Sequence, residues 1–539
     1  MAVFGADGTS DPIVTRMIAE DKVPWYKKPN LRYLYFFLFT CCMGVEMTSG
    51  FDSQLINTLQ FSPEFNKYFG EGYTDEDGNP DIRPALLGFI SSCYQLGSII
   101  GVPIAPWFNQ RFGRRWSIMT GSLIMVVGAL LQGFAQHVAM YIVARMLLGI
   151  GIVFAIISGS AMIGELAYPK ERPVMTSLFN ASWFVGSIIA CAISLGTVDI
   201  PGEWSWRIPS LLQIAPSLLQ IATVFFIPDS PRWLVSQDRE DEAFEVLVKY
   251  HAEGDASSRL VAAEMAQIRS TIKIEMEHSR QSWWEMVATA GMRRRVLIAV
   301  FLGLFTQMSG NTLLSYYSDI LFEMMNYTST YAKTRINIAN QCWSFINGTI
   351  LALLVARFPR RVMFMSAAAG MCLVFTAMTV SFRFLRIAKD AGRKNMSASI
   401  SALVWYFAYS PCYNLGNNAL TYTYLVEIFP YSVRTRGIGI EQIFGKAGGF
   451  FSSNVNPIAL DAIDWKYLAI YCGWIAFEFL FIFFVYPETH GRTLEELAFL
   501  FEGKEYADMA VAAVEKQVNT DHAGREKTEV TELELDKRV

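Results

Sequence analysis

The sequence has few charged residues and few histidines for its length. Of its 539 residues only 17% are charged, against roughly 25% in soluble domains, and only 5 are histidines. The histidines show no spacing typical of a nucleophile or a metal site, and no glycine-rich loop follows a strand. The net charge of −4 comes without a basic patch. We therefore expect no enzyme activity, no cofactor, no metal site and no nucleic-acid partner.

The cysteines and the N-terminal residues argue against two further classes of protein. Each of the 8 cysteines lies in an apolar run and none forms a CxxC pair, which is typical of small buried side chains rather than of a disulfide framework. The first thirty residues are mixed in charge, and no apolar core occurs before Leu31. No cleavable signal peptide is expected, and the first membrane span should act as the insertion signal.

Long apolar runs dominate the sequence, since 52% of the residues are hydrophobic. Stretches of about twenty apolar residues recur, the length that crosses a hydrocarbon core of roughly 30 Å. In lipid every backbone polar group needs an internal partner, so these stretches must be helices. The sequence predicts an all-α membrane protein with twelve spans, numbered 1 to 12, at 31–51, 85–107, 116–136, 139–162, 174–197, 208–227, 296–322, 335–356, 362–382, 399–425, 433–456 and 466–486.

The basic residues of the short loops predict the orientation of the chain. The loops after spans 2, 4, 8 and 10 are basic and lie on one side, which should be cytoplasmic together with both termini. Segment 383–398 does not fit this orientation, because it is basic although it should lie outside. The four basic loops agree with one another, so we keep the orientation that they predict. The sequons at Asn326 and Asn395 then fall outside and are candidate glycosylation sites.

Three short motifs occur twice, in the same order and at nearly the same spacing. The pairs are Arg111-Phe-Gly-Arg-Arg115 with Arg357-Phe-Pro-Arg-Arg361, Glu165…Arg172 with Glu427…Arg434, and 228–234 with 487–494. Such duplication indicates two related six-helix halves with a solute site between them near the membrane midplane.

The duplication also divides the chain into segments. They are a cytoplasmic N-terminal segment at 1–30, an N-terminal six-helix half at 31–227, a cytoplasmic linker with short helices at 228–295, a C-terminal six-helix half at 296–486, and a cytoplasmic C-terminal motif and tail at 487–539.

Taken together, these motifs resemble those of the sugar porters of the major facilitator superfamily, over roughly residues 31–500. The motifs that carry the resemblance are Gly50-Phe-Asp52, RFGRR, ARMLLGIG with Arg145, Glu165…Arg172, Trp206-Arg207, PDSPRWL, Glu427-Ile-Phe-Pro430 and PETHGRTLEEL. The branch that the sequence resembles most is that of the fungal lactose permeases and cellodextrin transporters. The resemblance implies two pseudo-symmetric six-helix halves, alternating access and a sugar-like solute.

Asp52 and Arg145 are charged residues inside predicted spans 1 and 4. A charge at this depth costs about 2.5–3.5 kcal/mol on insertion scales, so charges in spans usually have partners. The resemblance implies that these two residues form a pair whose carboxylate takes up a proton and lets the N-terminal half close around sugar. The alternative is a static ion pair that holds two helices together.

Two further acids, Glu46 and Glu478, also lie in predicted spans. Six helical positions separate Glu46 from Asp52 and place the two side chains on different faces. Glu46 is either an additional proton site or a buried acid that is hydrogen-bonded to a neighbouring helix. We favour the second interpretation for both acids.

A sugar site needs polar groups around the hydroxyls and apolar surface against the ring faces. Residues 306–312 and the tyrosines at 316–317 resemble the family's QQxxGxN…YY signature, with Thr306 and Thr312 replacing a Gln and an Asn. Two other pocket positions also differ from the common residues. The resemblance implies substrate contacts at Asn180, Gln307, Asn311, Thr312, Tyr316 and Tyr422. The alternative for each amide is a hydrogen bond between helices.

The cytoplasmic motifs are expected to form a gate. Gly113 permits a tight turn between spans 2 and 3, and arginines near it can pair with acids and with helix C-termini. In the family such networks latch the outward-facing state. Pro359 and Ala356 depart from the pattern of the second copy and predict a weaker latch there. The predicted gate residues are Arg111, Arg115, Glu165, Arg172, Glu427 and Arg434.

The leading prediction is a proton-coupled importer of a sugar, either a disaccharide such as lactose or cellobiose or a hexose. Its partners are then the sugar, the proton and the lipid bilayer, and we expect it to function as a monomer in the cell membrane. Two alternatives stay open, an exporter of a fungal secondary metabolite and a non-transporting sugar sensor. The short C-terminal tail disfavours the sensor, because such receptors often carry long tails.

Overall fold

The computed structural model describes residues 23–59, 63–70, 82–197, 200–278, 283–325, 327, 330–393, 395–491, 497 and 501. Within these ranges the regular structure is helical and no strand occurs. Each of the twelve predicted spans coincides with a helix or with a run of helices that follow one another closely. The predicted and observed elements differ mainly at their ends.

The first six spans are built as follows. Span 1 is Pro29–Leu59, span 2 is Pro84–Gly101 with Ala105–Phe112, span 3 is Arg114–Gly133, span 4 is Val138–Leu166, span 5 is Arg172–Ala181 with Trp183–Thr197, and span 6 is Trp204–Phe226. A short helix, Pro63–Phe69, follows span 1. Span 2 bends by 49° between its two helices.

The last six spans also include interrupted ones. Span 7 is Ala290–Met308 with Asn311–Tyr316 and Ser318–Met324, span 8 is Thr330–Leu354 with Val355–Arg357, and span 9 is Arg360–Asp390. Span 10 is Met396–Tyr413, a π-helical turn at Asn414–Asn418, and Ala419–Ile428, span 11 is Tyr431–Ile463, and span 12 is Lys466–Val485. In the described part of the chain, nine helices are long and apolar enough to cross a membrane, and the bent pair of span 2 makes ten. The two helices outside this set, spans 10 and 11, carry polar residues in their middle turns.

The basic segment that contradicted the predicted orientation is largely helical. Arg383, Arg386 and Lys389 lie on span 9, which runs to Asp390. Arg386 Nε lies 3.2 Å from Asp390 Oδ1, and its Nη1 lies 3.2 Å from Asp464 Oδ2. These cations therefore extend from a long helix, and Arg386 has two acidic partners, so the three residues do not form a free basic loop of the kind that sets orientation.

Spans 1 and 5 approach each other closely through two glycines. A Cβ atom added to Gly50 would lie 1.9 Å from the carbonyl oxygen of Trp183, and one added to Gly186 would lie 1.8 Å from that of Met47. Small residues are what let membrane helices pack backbone against backbone. This contact fixes Asp52, two residues after Gly50, at a defined depth in the helix bundle.

The predicted linker folds into helices at Pro231–Ser236, Glu240–His251, Arg259–His278 and Glu285–Ala288. They pack onto the ends of spans 1 and 4. Glu253 accepts hydrogen bonds from the backbone nitrogens of Asn30 and Leu31 at 2.9 and 3.0 Å and so caps the start of span 1. Its helical neighbour His251 lies 2.7 Å from Glu264 through Nδ1 and 3.3 Å from the carbonyl oxygen of Leu166 through Nε2.

Candidate transport site

A cavity of about 140 Å³ lies between spans 1, 2, 4 and 5 on one side and spans 7, 10 and 11 on the other. Amide side chains in its wall are Asn57, Gln95, Asn180, Gln307, Asn311, Asn417, Asn418 and Gln442, and aromatic ones are Tyr94, Trp183, Phe184, Tyr413 and Tyr422. Amides donate to and accept from hydroxyl groups, while aromatic rings cover the apolar faces of a sugar ring. The wall therefore has the chemistry that a neutral polyol requires.

Breaks in the helices bring these polar side chains to the wall. The first helix of span 7 ends at Met308, and Gly310 has a left-handed backbone with φ of +97°. A Cβ atom there would also lie 2.1 Å from Phe375 Cζ, so only glycine fits the break. Gln307 and Asn311 flank this break and both line the cavity. In span 10 the π-helical turn does the same for Asn417 and Asn418.

Four of the six predicted substrate residues, Asn180, Gln307, Asn311 and Tyr422, line the cavity. Thr312 does not. Its side chain is fully buried, and its hydroxyl donates to the backbone oxygen of Gln307 at 2.9 Å, so it supports a wall residue instead. The side chain of Tyr316 falls outside the described part of the structure.

Asn180 also bridges the two sets of six helices, because its Nδ2 donates to the backbone oxygen of Asn418 at 2.6 Å. Next to it, Ser177 donates to the backbone oxygen of Ala419 at 2.5 Å. The Thr176 and Thr423 hydroxyls lie 2.7 Å apart. Spans 5 and 10 are thus joined below the cavity, towards the predicted cytoplasmic end.

Asp52 and Arg145 are in direct contact, as the resemblance of the motifs implied. Arg145 Nη1 lies 3.1 Å from Asp52 Oδ1, and both side chains are 2% exposed. Gln213 of span 6 donates to the same carboxylate oxygen at 2.7 Å. The Arg145 guanidinium lies 5.6 Å from the centre of the Tyr94 ring, which is part of the cavity wall. The pair is therefore separated from the cavity by one aromatic side chain.

The arginine that pairs with Glu165 is Arg114, rather than the predicted Arg111 or Arg115. Arg114 is fully buried, and its Nε and Nη2 lie 3.1 Å from the two carboxylate oxygens of Glu165. Arg434 of span 11 reaches the same carboxylate at 3.3 Å. Arg111 is exposed. The reason is helical geometry, because only the first residue of span 3 points back at the end of span 4.

Arg115 and Arg172, two further predicted gate residues, lie close to acidic residues of the linker. Arg115 Nη1 lies 3.4 Å from Asp229 Oδ2. Burial raises the pKa of Asp229, and the neighbouring Arg115 opposes that rise. Arg172 is largely buried near Glu264 of the linker. Arg115 thus has Asp229, rather than Glu165, as its acidic partner.

The second copy of the motif repeats the arrangement of the first. Arg360, which corresponds to Arg114, places its Nη2 3.1 Å from Glu427 Oε1. Thr489 donates to the other oxygen of Glu427 at 2.6 Å. Glu488 accepts from the backbone nitrogens of Arg360 and Arg361 at 2.9 and 3.1 Å and caps span 9. Pro359 changes the turn, since its φ is −61° where Gly113 has +88°, yet the ion pair is retained.

The remaining acids and sequons have simple surroundings. Glu478 is fully buried and accepts hydrogen bonds from Ser309 and from Asn417, which is the hydrogen-bonded acid that we favoured. Asn395 caps span 10 by accepting from the backbone nitrogen of Ala398 at 3.1 Å. Asn326 lies outside the described residues. Glycosylation at either sequon stays a prediction.

Sequence reasoning missed several residues of the site. Glu441, Gln442 and Lys446 of span 11 and Gln95 of span 2 all line the cavity. Polar side chains within otherwise apolar spans were the available signal, because such residues face the bundle interior or a cavity. Gln213 has the same signal.

Comparisons with known proteins agree with this geometry. The sequence model of the family described as "Sugar (and other) transporter" matches residues 37–501, so the chain belongs to this family. It is a transporter and not an enzyme, as the resemblance of its motifs predicted. The finer assignment to the lactose-permease and cellodextrin branch stays a prediction.

Similar curated proteins are transporters of comparable length. A high-affinity glucose transporter of Kluyveromyces lactis is 26% identical over 497 residues, which cover 88% of this chain and 86% of that protein. An MFS-type transporter, oryC, of Aspergillus oryzae is 27% identical over 77% of each chain. An arabinose-proton symporter of Bacillus subtilis is 25% identical over 77% of this chain and 87% of that protein.

Solved structures show the fold. The proton:xylose symporter XylE bound to 6-bromo-6-deoxy-D-glucose superposes with a TM-score of 0.75 at 21% identity, covering 88% of this chain and 100% of that chain. An inward-open form of XylE from E. coli gives a TM-score of 0.64 at 20% identity, covering 87% and 99%. The prediction of an all-α major facilitator fold with twelve helices is confirmed.

Proposed function

We propose that this chain takes up a sugar together with protons by opening the central cavity alternately to the two sides of the membrane. The observation that carries the proposal is the buried Asp52–Arg145 pair, which lies directly behind Tyr94 of a cavity walled by amides and aromatic rings. The named activities of the relatives, which include glucose, arabinose-proton and proton:xylose transport, support it.

The proposed coupling is electrostatic. In the structure the Asp52 carboxylate accepts hydrogen bonds from both Arg145 and Gln213. A proton that arrives from outside neutralises Asp52 and leaves Arg145 without its partner in a buried site, which is strongly unfavourable. Arg145 then shifts against Tyr94 and changes the cavity wall. Proton binding and sugar enclosure thereby favour each other.

The proposed substrate is a neutral sugar, either a hexose or a disaccharide such as lactose or cellobiose. Asn180, Gln307, Asn311 and Tyr422 are proposed to bind its hydroxyls, together with Gln95, Asn417 and Asn418. Thr306 also lines the cavity, where the family signature has a longer glutamine. The shorter side chain leaves space beside Gln307, which favours substrates larger than a hexose.

The proposed gate lies at the cytoplasmic end. Glu165 binds Arg114 of its own half and Arg434 of the other half, so it holds the two halves together when the cavity is closed on this side. Glu427 and Arg360 are proposed to play the matching role in the C-terminal half. We further propose that both termini are cytoplasmic, from the basic loops, that the protein acts as a monomer, and that it resides in the plasma membrane.

One experiment tests the function directly. The chain is produced in yeast without sugar transporters, and uptake of radiolabelled mono- and disaccharides is measured with and without a protonophore. Asp52→Asn should abolish accumulation against a gradient but retain downhill exchange, whereas Asp241→Asn, an exposed change in the linker, should behave like wild type. Surface abundance is measured for each variant. Accumulation by Asp52→Asn equal to that of wild type would show that the coupling assignment is wrong.

A further inference from the structure

Three ionisable side chains of the cavity lie apart from the Asp52–Arg145 pair. They are Glu46 of span 1 and Glu441 and Lys446 of span 11, and all three line the wall. Both carboxyl side chains are 3% exposed. Lys446 places its Nζ 5.3 Å from the centre of the Tyr94 ring, the same ring that Arg145 contacts. The cluster therefore adjoins the proposed coupling pair.

The charges of this cluster do not balance. Two carboxylates and one ammonium leave one negative charge in excess, and Asp52 with Arg145 adds no net charge. Lys446 interacts electrostatically with both Glu46 and Glu441, so one cation is shared between two acids. A buried charge without a full partner is costly. A proton is the smallest ligand that removes the excess.

Hydrogen bonding distinguishes the two carboxyl groups. Glu441 Oε2 accepts from Gln442 Nε2 at 2.9 Å. Among the described residues, Glu46 Oε1 is buried and has no hydrogen-bond partner. Tyr422 interacts with Glu46, and its hydroxyl accepts from Gln442 at 3.0 Å. A proton on Oε1 would turn this orphaned acceptor into a donor towards the cavity.

The titratable groups that face Glu46 come from the opposite half. They are Lys446 and Glu441 of span 11 and Tyr422 of span 10. On its own side, Ile156 of span 4 and Asn180 and Trp183 of span 5 form the neighbouring wall, and none of them titrates. The surroundings of Glu46 thus depend on how the two halves are placed, whereas the donor to Glu441 is Gln442 of its own helix.

We propose that Glu46 is a second proton-binding site of the transport cycle. With the halves together, Glu46 is shielded from water and shares one lysine, so it holds a proton taken from the outer solution. When the halves separate at the cytoplasmic end, water reaches Glu46 and hydrates the carboxylate, and the proton leaves to the inner solution. Since this inference rests on the proposed proton-coupled uptake at Asp52, two protons should accompany each sugar.

The number of charges per sugar tests the proposal. The purified full chain is reconstituted into liposomes with radiolabelled D-glucose, and potassium with valinomycin sets the potential at which net glucose flux stops. A tenfold glucose gradient is balanced by about 59 mV when one charge moves and by about 30 mV when two move. We expect a balancing potential of about 30 mV for wild type. For Glu46→Gln we expect the potential to double to about 59 mV, the value for one charge, while glucose accumulation is retained.

Glu478→Gln is the matched control, because Glu478 is also a fully buried carboxyl group in a span but has hydrogen-bond donors within its own half. It should keep the two-charge value. A wild-type value for one charge overturns the second site and leaves the proposed function intact. Two charges in both wild type and Glu46→Gln also overturn it. Glucose flux that does not respond to the potential overturns both proposals.

Infrared difference spectroscopy of the purified chain provides a readout that needs no transport. The infrared band of a protonated carboxyl group should disappear in Glu46→Gln. In Glu46→Asp the band should be retained at a shifted frequency. If the protein does not transport D-glucose, the infrared measurement by itself tests whether Glu46 binds a proton. Absence of any Glu46-dependent carboxyl band across the pH range in which the protein stays folded overturns the proposal.

Discussion

At the scale of single residues, the position of a charge along a helix turn decides its partner. Arg111 and Arg114 belong to one short motif, but Arg111 is exposed at the end of span 2 and Arg114 is fully buried against Glu165. The turn at Gly113, with its φ of +88°, separates their directions. Two arginines three positions apart thus contribute differently to the stability of the protein.

Arg114→Gln should therefore destabilise the protein far more than Arg111→Gln. Removing one partner of a buried ion pair costs about 3–5 kcal/mol, whereas exposed substitutions usually stay within about 0.5 kcal/mol. Thermal denaturation of the detergent-solubilised variants measures the difference. A similar loss of thermal stability in both variants would contradict the assignment of Arg114 as the buried partner.

At the scale of elements, the linker helices are attached to the transport spans by a buried acid. Burial alone would raise the pKa of Glu264, but His251, Arg172 and Arg232 lower it below its usual value. A carboxyl group with a depressed folded pKa stabilises the fold above its unfolded value of about 4.3 and loses that contribution as the pH falls through the folded value. The contact is complete at neutral pH.

Protection of helices Glu240–His251 and Arg259–His278 against hydrogen exchange should hold at neutral pH and fall only in acid, below about pH 4.3. Glu264→Gln should lower the protection at neutral pH and remove most of its acid dependence. Glu242→Gln, which changes an exposed acid paired with Arg239, serves as the control. An acid transition of unchanged size in Glu264→Gln would argue against this role for Glu264.

At the scale of the whole molecule, a few polar contacts join the two halves at one end of the helix bundle. Arg434 of span 11 reaches Glu165 of span 4 at 3.3 Å, and this pair closes the same end of the bundle as the Ser177–Ala419 contact. Coupling energies of this kind are typically about 1–3 kcal/mol, or about 5–150-fold in an equilibrium.

If these contacts form the proposed latch, Arg434→Gln should increase the fraction of molecules open at this end, the proposed cytoplasmic end, by roughly 5-fold or more. The rate at which a polar thiol reagent modifies the cysteine of Ser177→Cys measures that fraction. The same protein with Ser177 retained gives the background reaction of the native cysteines. Arg436→Gln, which breaks a pair with Glu285 of the linker, is the matched control. Equal rates in the two arginine variants would contradict the latch.

The sequence by itself determined the helices, the duplication and the central ion pair. Apolar runs of membrane length fold as helices in any tertiary context, and the resemblance of the motifs to those of sugar porters implied that Asp52 and Arg145 form a pair. The positions of Asn180, Gln307 and Tyr422 in the cavity wall also followed from motifs. These features depend on local composition and on spacing along the chain.

Only the tertiary structure decided which faces of the helices meet. Gln213 at Asp52, Arg114 rather than Arg111 at Glu165, and Thr312 behind Gln307 rather than in the wall all depend on helix rotation and on turns such as that at Gly113. Glu46 and Lys446 are distant in sequence and face one another only because spans 1 and 11 line the same cavity. Contacts between distant helices arise from packing, so no local pattern encodes them.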